Sequence, residues 1–479
     1  MTWGSVTSNV GDLLCHYARD VEFLNREREL ELLERWWASP AASKLALLWG
    51  RRRVGKTALL QRFADGKRTV FHTGAGRPLG DELRILSRVV AGVIDPGVRD
   101  LAARPFRDWD DLLDTLATAA AEEPLLVILD EFPDLTAVAP DLENRIRAFW
   151  DRARGRTKLR LLLCGSAIRT MEAIQEERAP LYGRIELTLL LQPFRPHEAA
   201  LMLRRLSPPE RALVWGLVGG IPLYLEWWDQ DASVDENLLR LVCTPGGPLL
   251  TAGELALASE LDGGELARRI LYAIAAGRTK HSEIEHAVRA DPARPLERLV
   301  RLGFVERMIP VTLDPRRTRL RLYRVGDNFL AFWLALVDPY RAEIERGLGR
   351  SILPVLTAGL DDFLGPRYEE AFRAHLRLLA EKGALGPDVV AIGPFWTSEA
   401  EPVEIDAVAL AGRAREAVLV GECKWARRVD SRRARRDLER KSAALPRRRE
   451  PLRFAVCARE AVEDAEADVV PISAADIFP

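Results

Sequence analysis

Apolar residues in the first two hundred positions follow two alternating patterns. The stretch FLNRERELELLERWW places Leu30, Leu33, Trp36 and Trp37 on one helical face with charges opposite. Runs that are apolar on both faces follow, LALLW, PLLVILDEF and LRLLLC, as suits strands buried in a parallel sheet. RTVFHTG reads as a further short strand, and helices are expected over 79–93 and 109–121. Strands alternating with helices predict an α/β fold. Residues 265–345 read as short helices, then LERLVRLGFVERM, then a hairpin candidate, IPVTLDPRRTRLRLYRV. Leu296, Leu299, Leu302 and Phe304 lead into the first strand and Leu320, Leu322 and Tyr323 lie in the second, the order of a winged helix. The next stretch, RVGDNFLAFWLAL, is amphipathic and reads as core. Beyond Ser351, GPRYEEAFRAHLRLLA is a helix with Tyr368, Phe372, Leu376 and Leu379 on one face. PVEIDAVAL and AVLVGECKW are then strands joined by the polar turn AGRARE.

Chemistry first appears where the strand LALLW meets a helix. Gly50, Gly55, Lys56 and Thr57 match GxxxxGK[ST], in which glycines let backbone amides wrap a triphosphate at the positive end of a helix. The loop and its flanks, Gly50, Arg51, Arg52, Arg53, Val54, Gly55, Lys56, Thr57 and Ala58, are the expected ATP contacts. Lys56 would reach the β- and γ-phosphates and Thr57 would bind Mg²⁺. Ligands of parallel sheets lie at the strands' carboxyl ends, which sets Asp130 and Glu131 beside the phosphates. Asp130 would hold Mg²⁺ through water and Glu131 would orient or deprotonate the attacking water. Arg184, between two apolar segments, reads either as a neutraliser of transition-state charge or as a structural ion pair.

Composition narrows the class. A chain of 479 residues exceeds one core, so several domains are expected, and 48% hydrophobic with 29% charged residues is a soluble globular balance. The five cysteines, Cys15, Cys164, Cys243, Cys423 and Cys457, are scattered with no CxxC pair, which argues against a disulfide framework or zinc site and fits a reducing cytoplasm. No apolar run is long enough to cross a bilayer, and no signal segment opens the chain. Arginine is the default cation: eight of 70 basic residues are lysine, and two of those, Lys56 and Lys424, fall inside candidate chemical motifs.

Taken in order, RERELELL, GRRRVGKTALL, VILDEF, LCGSA, LYGRIEL and GGIPLYL resemble the archaeal-type P-loop ATPase family, an AAA+-related branch of the signal-transducing ATPases with numerous domains. The resemblance covers about the first half of the chain. It implies that the opening helix packs near the adenine and that Ser166, ending the strand between the two Walker strands, senses the γ-phosphate; a plain Gly-Ser turn is the alternative. It also implies that the turn Gly219, Gly220, Pro222 joins the core to a helical lid, with Pro222 facing the nucleotide. Homo-oligomers through the ATPase core are a further possibility. The winged helix, with Arg316, Arg317, Arg319 and Arg321 on its wing, would either meet nucleic-acid phosphates or act as an interdomain spacer.

A second constellation lies in the C-terminal strands. A hairpin centred on Ala414 sets Asp406 opposite Glu422, and Glu422 and Lys424 share a face because side chains alternate. Two carboxylates at one end of a hairpin call for a cation, and Mg²⁺ is the oxygen-seeking choice. With Lys424 stabilising developing charge, the cluster suits phosphodiester cleavage. The pattern resembles the restriction-endonuclease-like superfamily, PD-(D/E)xK, which implies a role for Glu369 as the acid on its first helix and for the Cys423 carbonyl as a further metal ligand. Ile405 replaces the motif's proline. Residues 425–450 carry eleven basic against four acidic side chains, a net of +7 in a chain of net charge −1. That is the footprint of a DNA-binding face or of docking on an acidic partner such as EAVEDAEAD.

The expected organisation is an ATPase core over 1–200, a helical lid over 201–262, a winged helix over 263–348 and a nuclease-like α/β domain over 349–479. The expected activity is an ATP-controlled, Mg²⁺-dependent DNA nuclease, in the cytoplasm and off the membrane. The alternative is a regulatory ATPase switch that binds DNA or a protein through an inactive terminal domain.

Overall fold

In the computed structural model, residues 23–40, 43–95, 99–101, 103–153, 155–259, 264–398 and 401–479 are described. Cys15 and the expected boundary at 262–263 lie outside them. The chain divides into two compact units, residues 1–50 with 55–190 and residues 51–54 with 191–479. The segments expected as lid, winged helix and C-terminal domain all fall in the second.

The first unit is built on a five-stranded sheet: β1 Lys44–Trp49, β2 Thr69–Thr73, β3 Leu125–Asp130, β4 Leu159–Gly165 and β5 Leu187–Leu190. Its order is β2-β3-β4-β1-β5 and every pairing is parallel. All residues of β1, β3 and β4 are buried, which is why those runs carry no alternation. Helices cover the sheet: Trp109, Leu112, Leu113 and Leu116 of one, with Ile146, Phe149 and Trp150 of another, join Leu125, Val127 and Leu161 in a single core. The opening helix Glu27–Ala38 buries Leu33 and Trp36, the latter 6.4 Å from the Phe63 ring.

In the second unit, helices Gly264–Ala275, His281–Val288 and Ala293–Arg301 precede an antiparallel ribbon of β6 Val305–Met308 and β7 Leu322–Val325. This is the element order expected of a winged helix. The expected returning strand is shorter than its apolar pattern, since Leu320 lies ahead of β7. The amphipathic stretch after it is core as expected, with Phe329, Phe332 and Trp333 buried.

The C-terminal sheet contains β8 Val389–Trp396, β9 Glu404–Ala411, β10 Glu416–Cys423, β12 Arg448–Cys457 and β14 Val469–Ile472; β11 Arg428–Asp430 and β13 Ala461–Glu463 form a separate parallel pair. Its order is β14-β12-β10-β9-β8, antiparallel on the β8–β9–β10 side and parallel from β10 to β14. Alternation divides the middle of β9, although Ile405 packs on the side of Val408 and Leu410. Ala407 and Ala409 face Tyr368, Phe372 and Leu376 of helix Leu360–Glu381, while Val408 and Leu410 face Ala434 and Leu438 of helix Ser431–Ser442. Gly421 allows the close approach of that first helix, because a Cβ there would sit 2.8 Å from the Phe372 ring.

Candidate functional site

The phosphate loop leaves β1 at Gly50 (φ 158°) and turns through Arg53 (φ 66°) and Gly55 (φ 92°) into helix Lys56–Ala64. A helix start following such a loop is the arrangement that holds anions on backbone amides. Lys56 is buried and its ammonium donates to the Gly50 carbonyl at 3.0 Å. Thr57 Oγ1 donates to Asp130 Oδ2 at 2.8 Å, so the two groups expected to share a cation already meet. Asp130 is 1% exposed at the end of β3, and its Oδ1 accepts the Glu131 backbone N–H at 3.0 Å. Charge beside it reaches Cys164, whose thiol is pushed well up by burial and then by Asp130.

Glu131 is left-handed (φ 47°), the strained start of the helix Phe132–Val138. Its Oε2 accepts from Ser166 Oγ at 2.9 Å and from Ser166 N–H at 3.2 Å. The strand carrying Ser166 lies between β1 and β3, so the base candidate and the sensor candidate meet directly. Gly165 permits this: a Cβ there would lie 2.6 Å from the Pro133 ring.

Arg184 is not gathered here. It is bidentate to Asp151, at 2.9 Å through both Nε and Nη2, and also donates to the Pro180 and Tyr182 carbonyls. Of the two sequence alternatives for this residue, the ion pair is the one formed here, with Asp151 in the fork that a phosphate would need.

Arg51 and Arg53 belong with the second unit. Arg51 Nη1 donates to Asp327 Oδ2 at 2.6 Å, both side chains nearly buried, and its guanidinium lies 5.0 Å from the Phe304 ring centre. Arg53 donates to the Tyr224 hydroxyl and stacks near Tyr224 and Trp227. Tyr224 follows the turn in which Gly219 is left-handed (φ 71°) and Gly220 is pressed against the Phe194 backbone, with Pro222 opening the helix Pro222–Glu226. Sequence reasoning missed Asp327. Its signal was faint, an acid before an apolar helix, and it does cap that helix by accepting from Leu330 N–H at 2.6 Å.

In the C-terminal domain Gly421 pairs with Ala407 and Val420 with Val408, in the register that the hairpin arithmetic uses, and the ladder ends there, one step short of Asp406 and Glu422. Nearer the turn the register slips by one at Val418, a bulge that the arithmetic did not foresee. Asp406 Oδ2 accepts Cys423 N–H at 2.7 Å, and burial pushes its carboxyl up. Lys424 Nζ lies 2.8 Å from Glu422 Oε1, whereas Glu422 Oε2 is buried with no hydrogen-bond partner. Glu369 sits on the adjoining helix, its carboxyl raised to about 7 by burial and then by Asp406. Arg373, 2% exposed, ties the group together: it donates to the Asp406 carbonyl at 2.8 Å and to Glu370 at 2.9 Å, and lies 3.7 Å from Glu369. Among the described residues no three His, Cys, Asp or Glu side chains form a metal cage, so a cation here would rest on Asp406, Glu422 and backbone oxygen. An orphaned carboxylate oxygen in a buried position is what such an ion would satisfy.

The basic segment 425–450 is partly spoken for. Arg427 pairs with Glu460, Arg428 with Glu463, and Arg435 with Glu466 and Asp468, so the acidic tail is a partner within the same domain. Arg432, Arg433 and Arg436 remain exposed on helix Ser431–Ser442 with no carboxylate partner among the described residues. On the ribbon, Arg316, Arg317 and Arg319 are exposed.

Residues 23–227 match the family described as an ATPase domain predominantly from Archaea, and residues 333–437 match archaeal and bacterial proteins of unknown function. An uncharacterised protein of Methanocaldococcus jannaschii is 27% identical over 431 residues, 88% of this chain and 92% of its own length. An uncharacterised ATP-binding protein of the same organism is 52% identical over 48 residues, 80% of that protein and 10% of this one. Among solved structures, the Walker-type ATPase of Pyrococcus abyssi is similar at 20% identity and a TM-score of 0.47, covering 65% of this chain and 95% of that one. No helix among the described residues is long and apolar enough to cross a membrane. With a loop built for phosphates after β1 and an acid pair at the end of β3, two strands along the sheet, residues 23–227 belong to the P-loop ATPase-domain family found predominantly in Archaea.

Proposed function

We propose that the chain couples an ATP-hydrolysing switch to a Mg²⁺-dependent DNA nuclease in residues 349–479. In the ATPase, residues 50–58 would hold the triphosphate, and Thr57 with Asp130 the Mg²⁺, which when bound neutralises phosphate charge. Lys56 exchanges the Gly50 carbonyl for a phosphate oxygen. Glu131 must give up Ser166 before it can take a proton from water, so hydrolysis waits on a ligand that recruits Ser166. Arg51 and Arg53, fixed on Asp327 and Tyr224, carry the state of the loop into the second unit. Pro222, at the head of the helix that presents Tyr224, acts through that residue.

The nuclease reading rests on one observation: the buried, unpartnered Glu422 Oε2, one residue before the Cys423 N–H that Asp406 accepts. Mg²⁺ held there would supply Lewis acidity toward a phosphodiester. Lys424 holds Glu422 in place and keeps its own charge, since against the opposing effect of burial the bond to Glu422 raises its ammonium above the ordinary lysine range. Arg373 anchors the Asp406 backbone, and Arg432, Arg433 and Arg436 offer charge to a DNA backbone. The sheet order, with helices on both faces, supports the superfamily resemblance. A second reading, a switch whose terminal domain only binds, is favoured by the ion pairs that tie Arg427, Arg428 and Arg435 to the acidic tail. Incubating the purified chain with plasmid and single-stranded DNA, with Mg²⁺ and with or without ATP, separates the two. Cleavage abolished by Asp406→Ala or Lys424→Ala supports the nuclease; DNA retention without cleavage supports the binding switch.

A further inference from the structure

The second unit holds a cavity of about 390 Å³ that shares only Arg373 and Glu370 with the Asp406 cluster. One wall comes from the ribbon and the loop after β6, the other from helix Leu360–Glu381, β8 and the β9–β10 turn. Four guanidiniums line it, Arg307, Arg373, Arg377 and Arg415, against two carboxylates, Glu306 and Glu370. Their balance is cationic. Burial would raise the Glu370 carboxyl, but Arg324, Arg373 and Arg377 bring it down to about 2, so it stays ionised and fixes the arginines around it.

The arginines are held but not exhausted. A guanidinium has about five N–H donors. Arg377 bonds Glu370, Arg415 bonds the Val311 carbonyl and Arg307 bonds Glu297, so each fork has donors to spare. Arg373, buried and bonded to Glu370 and to the Asp406 carbonyl, is the back wall and the link to Asp406. Between the charges lie Met308, Ile392 and Pro394, an apolar surface that suits a flat ring. The volume is near the lower end of the ~300–1,000 Å³ of ligand pockets, room for one nucleotide unit and too little for a duplex. Arginine forks match phosphate oxygens in number and plane.

We propose that this cavity binds one nucleoside monophosphate unit, its phosphate on Arg377 and Arg415 and its base against Met308 and Ile392. The unit is either a nucleotide of a single strand running on from the Asp406–Glu422 centre, in which case the site rests on the nuclease reading, or a free nucleotide.

The test uses the full chain with Lys56→Ala, which silences the phosphate loop, in EDTA so that no cation at Asp406 contributes. Binding of a fluorescein-labelled single-stranded 12-mer is read by anisotropy and binding of AMP by calorimetry. Arg377→Met and Arg415→Met, which keep the aliphatic stems, each weaken the bound ligand at least tenfold. For the oligonucleotide each also lowers the slope of log K against log salt by ~0.7. Arg413→Met, on the same turn and outside the cavity, changes neither, and unchanged thermal midpoints show that the variants fold. Arginine-dependent binding of the 12-mer alone assigns the polymer, and of AMP alone the free nucleotide. No binding, or binding indifferent to both arginines, overturns the proposal. If Asp406→Ala and wild type are equally without cleavage while Arg415→Met still abolishes binding, the nuclease reading fails and the cavity stands.

Discussion

Glu131 and Ser166 hold each other in the structure, and that bond sets what their replacement does. Glu131→Gln keeps a side chain of the same shape but cannot accept a proton, so ATP turnover falls by about 10²–10⁴-fold while nucleotide affinity stays within a few-fold. Single-turnover hydrolysis beside equilibrium nucleotide binding checks it, and equal losses in both would contradict the assigned role. A second residue-level pair governs acid stability. His72 and Glu82, both buried, bond at 3.0 Å, and Glu82 also accepts the N–H of Ala75 and Arg77. Burial lowers the His72 imidazole below its ordinary range, with Glu82 opposing. Burial opposes ionisation of Glu82 as well, yet the Arg77 and Ala75 amides bring its carboxyl below the ordinary range. Both groups bind protons more readily unfolded than folded. Stability of the first unit therefore declines as pH falls below about 6.5 through His72, and further below about 4.3 through Glu82. Thermal midpoints from pH 8 to 4 for wild type and His72→Gln test this: the variant loses the upper part of the decline, and identical curves would contradict it.

At the scale of elements, the parts legible in the sequence are those whose signal is local. The GxxxxGK[ST] turn, the strand ending in Asp130–Glu131 and the strand ending at Ser166 are contiguous patterns, and the sheet order places them together. Hairpin arithmetic matches the ladder from Leu419 to Gly421, one step short of Asp406 and Glu422; the slip at Val418 is confined to the turn end. What could not be read is the partner of a side chain far along the chain. Arg184 had two open readings because nothing near it in sequence points to Asp151. Asp327 read as core flank because Arg51 is 276 residues away. That acid does two jobs, capping the helix Asn328–Phe332 and pairing with Arg51. Asp327→Ala removes both the helix cap and the charged hydrogen bond to Arg51, and so destabilises the second unit by ~2–5 kcal/mol. Asp327→Asn, which keeps the cap, loses less. Denaturant midpoints of the two variants check the order, and equal values would show that the cap contributes little.

The proposed function asks two phosphate-directed centres of one chain, one in each compact unit for the bulk of its residues, and the net charge of −1 hides a local excess of arginine. Residues 51–54 are the exception to that division: they belong to the phosphate loop in sequence and to the second unit in packing. The account therefore stands on communication between nucleotide state and the C-terminal centre. The most direct measurement is the ratio of initial DNA-cleavage rates in ATP and in ADP, with Mg²⁺ present throughout, for the wild type and for Lys56→Ala. The account predicts a ratio well away from one in the wild type and a return to one in the variant. A wild-type ratio of one, or no Mg²⁺-dependent cleavage in either nucleotide, would contradict it.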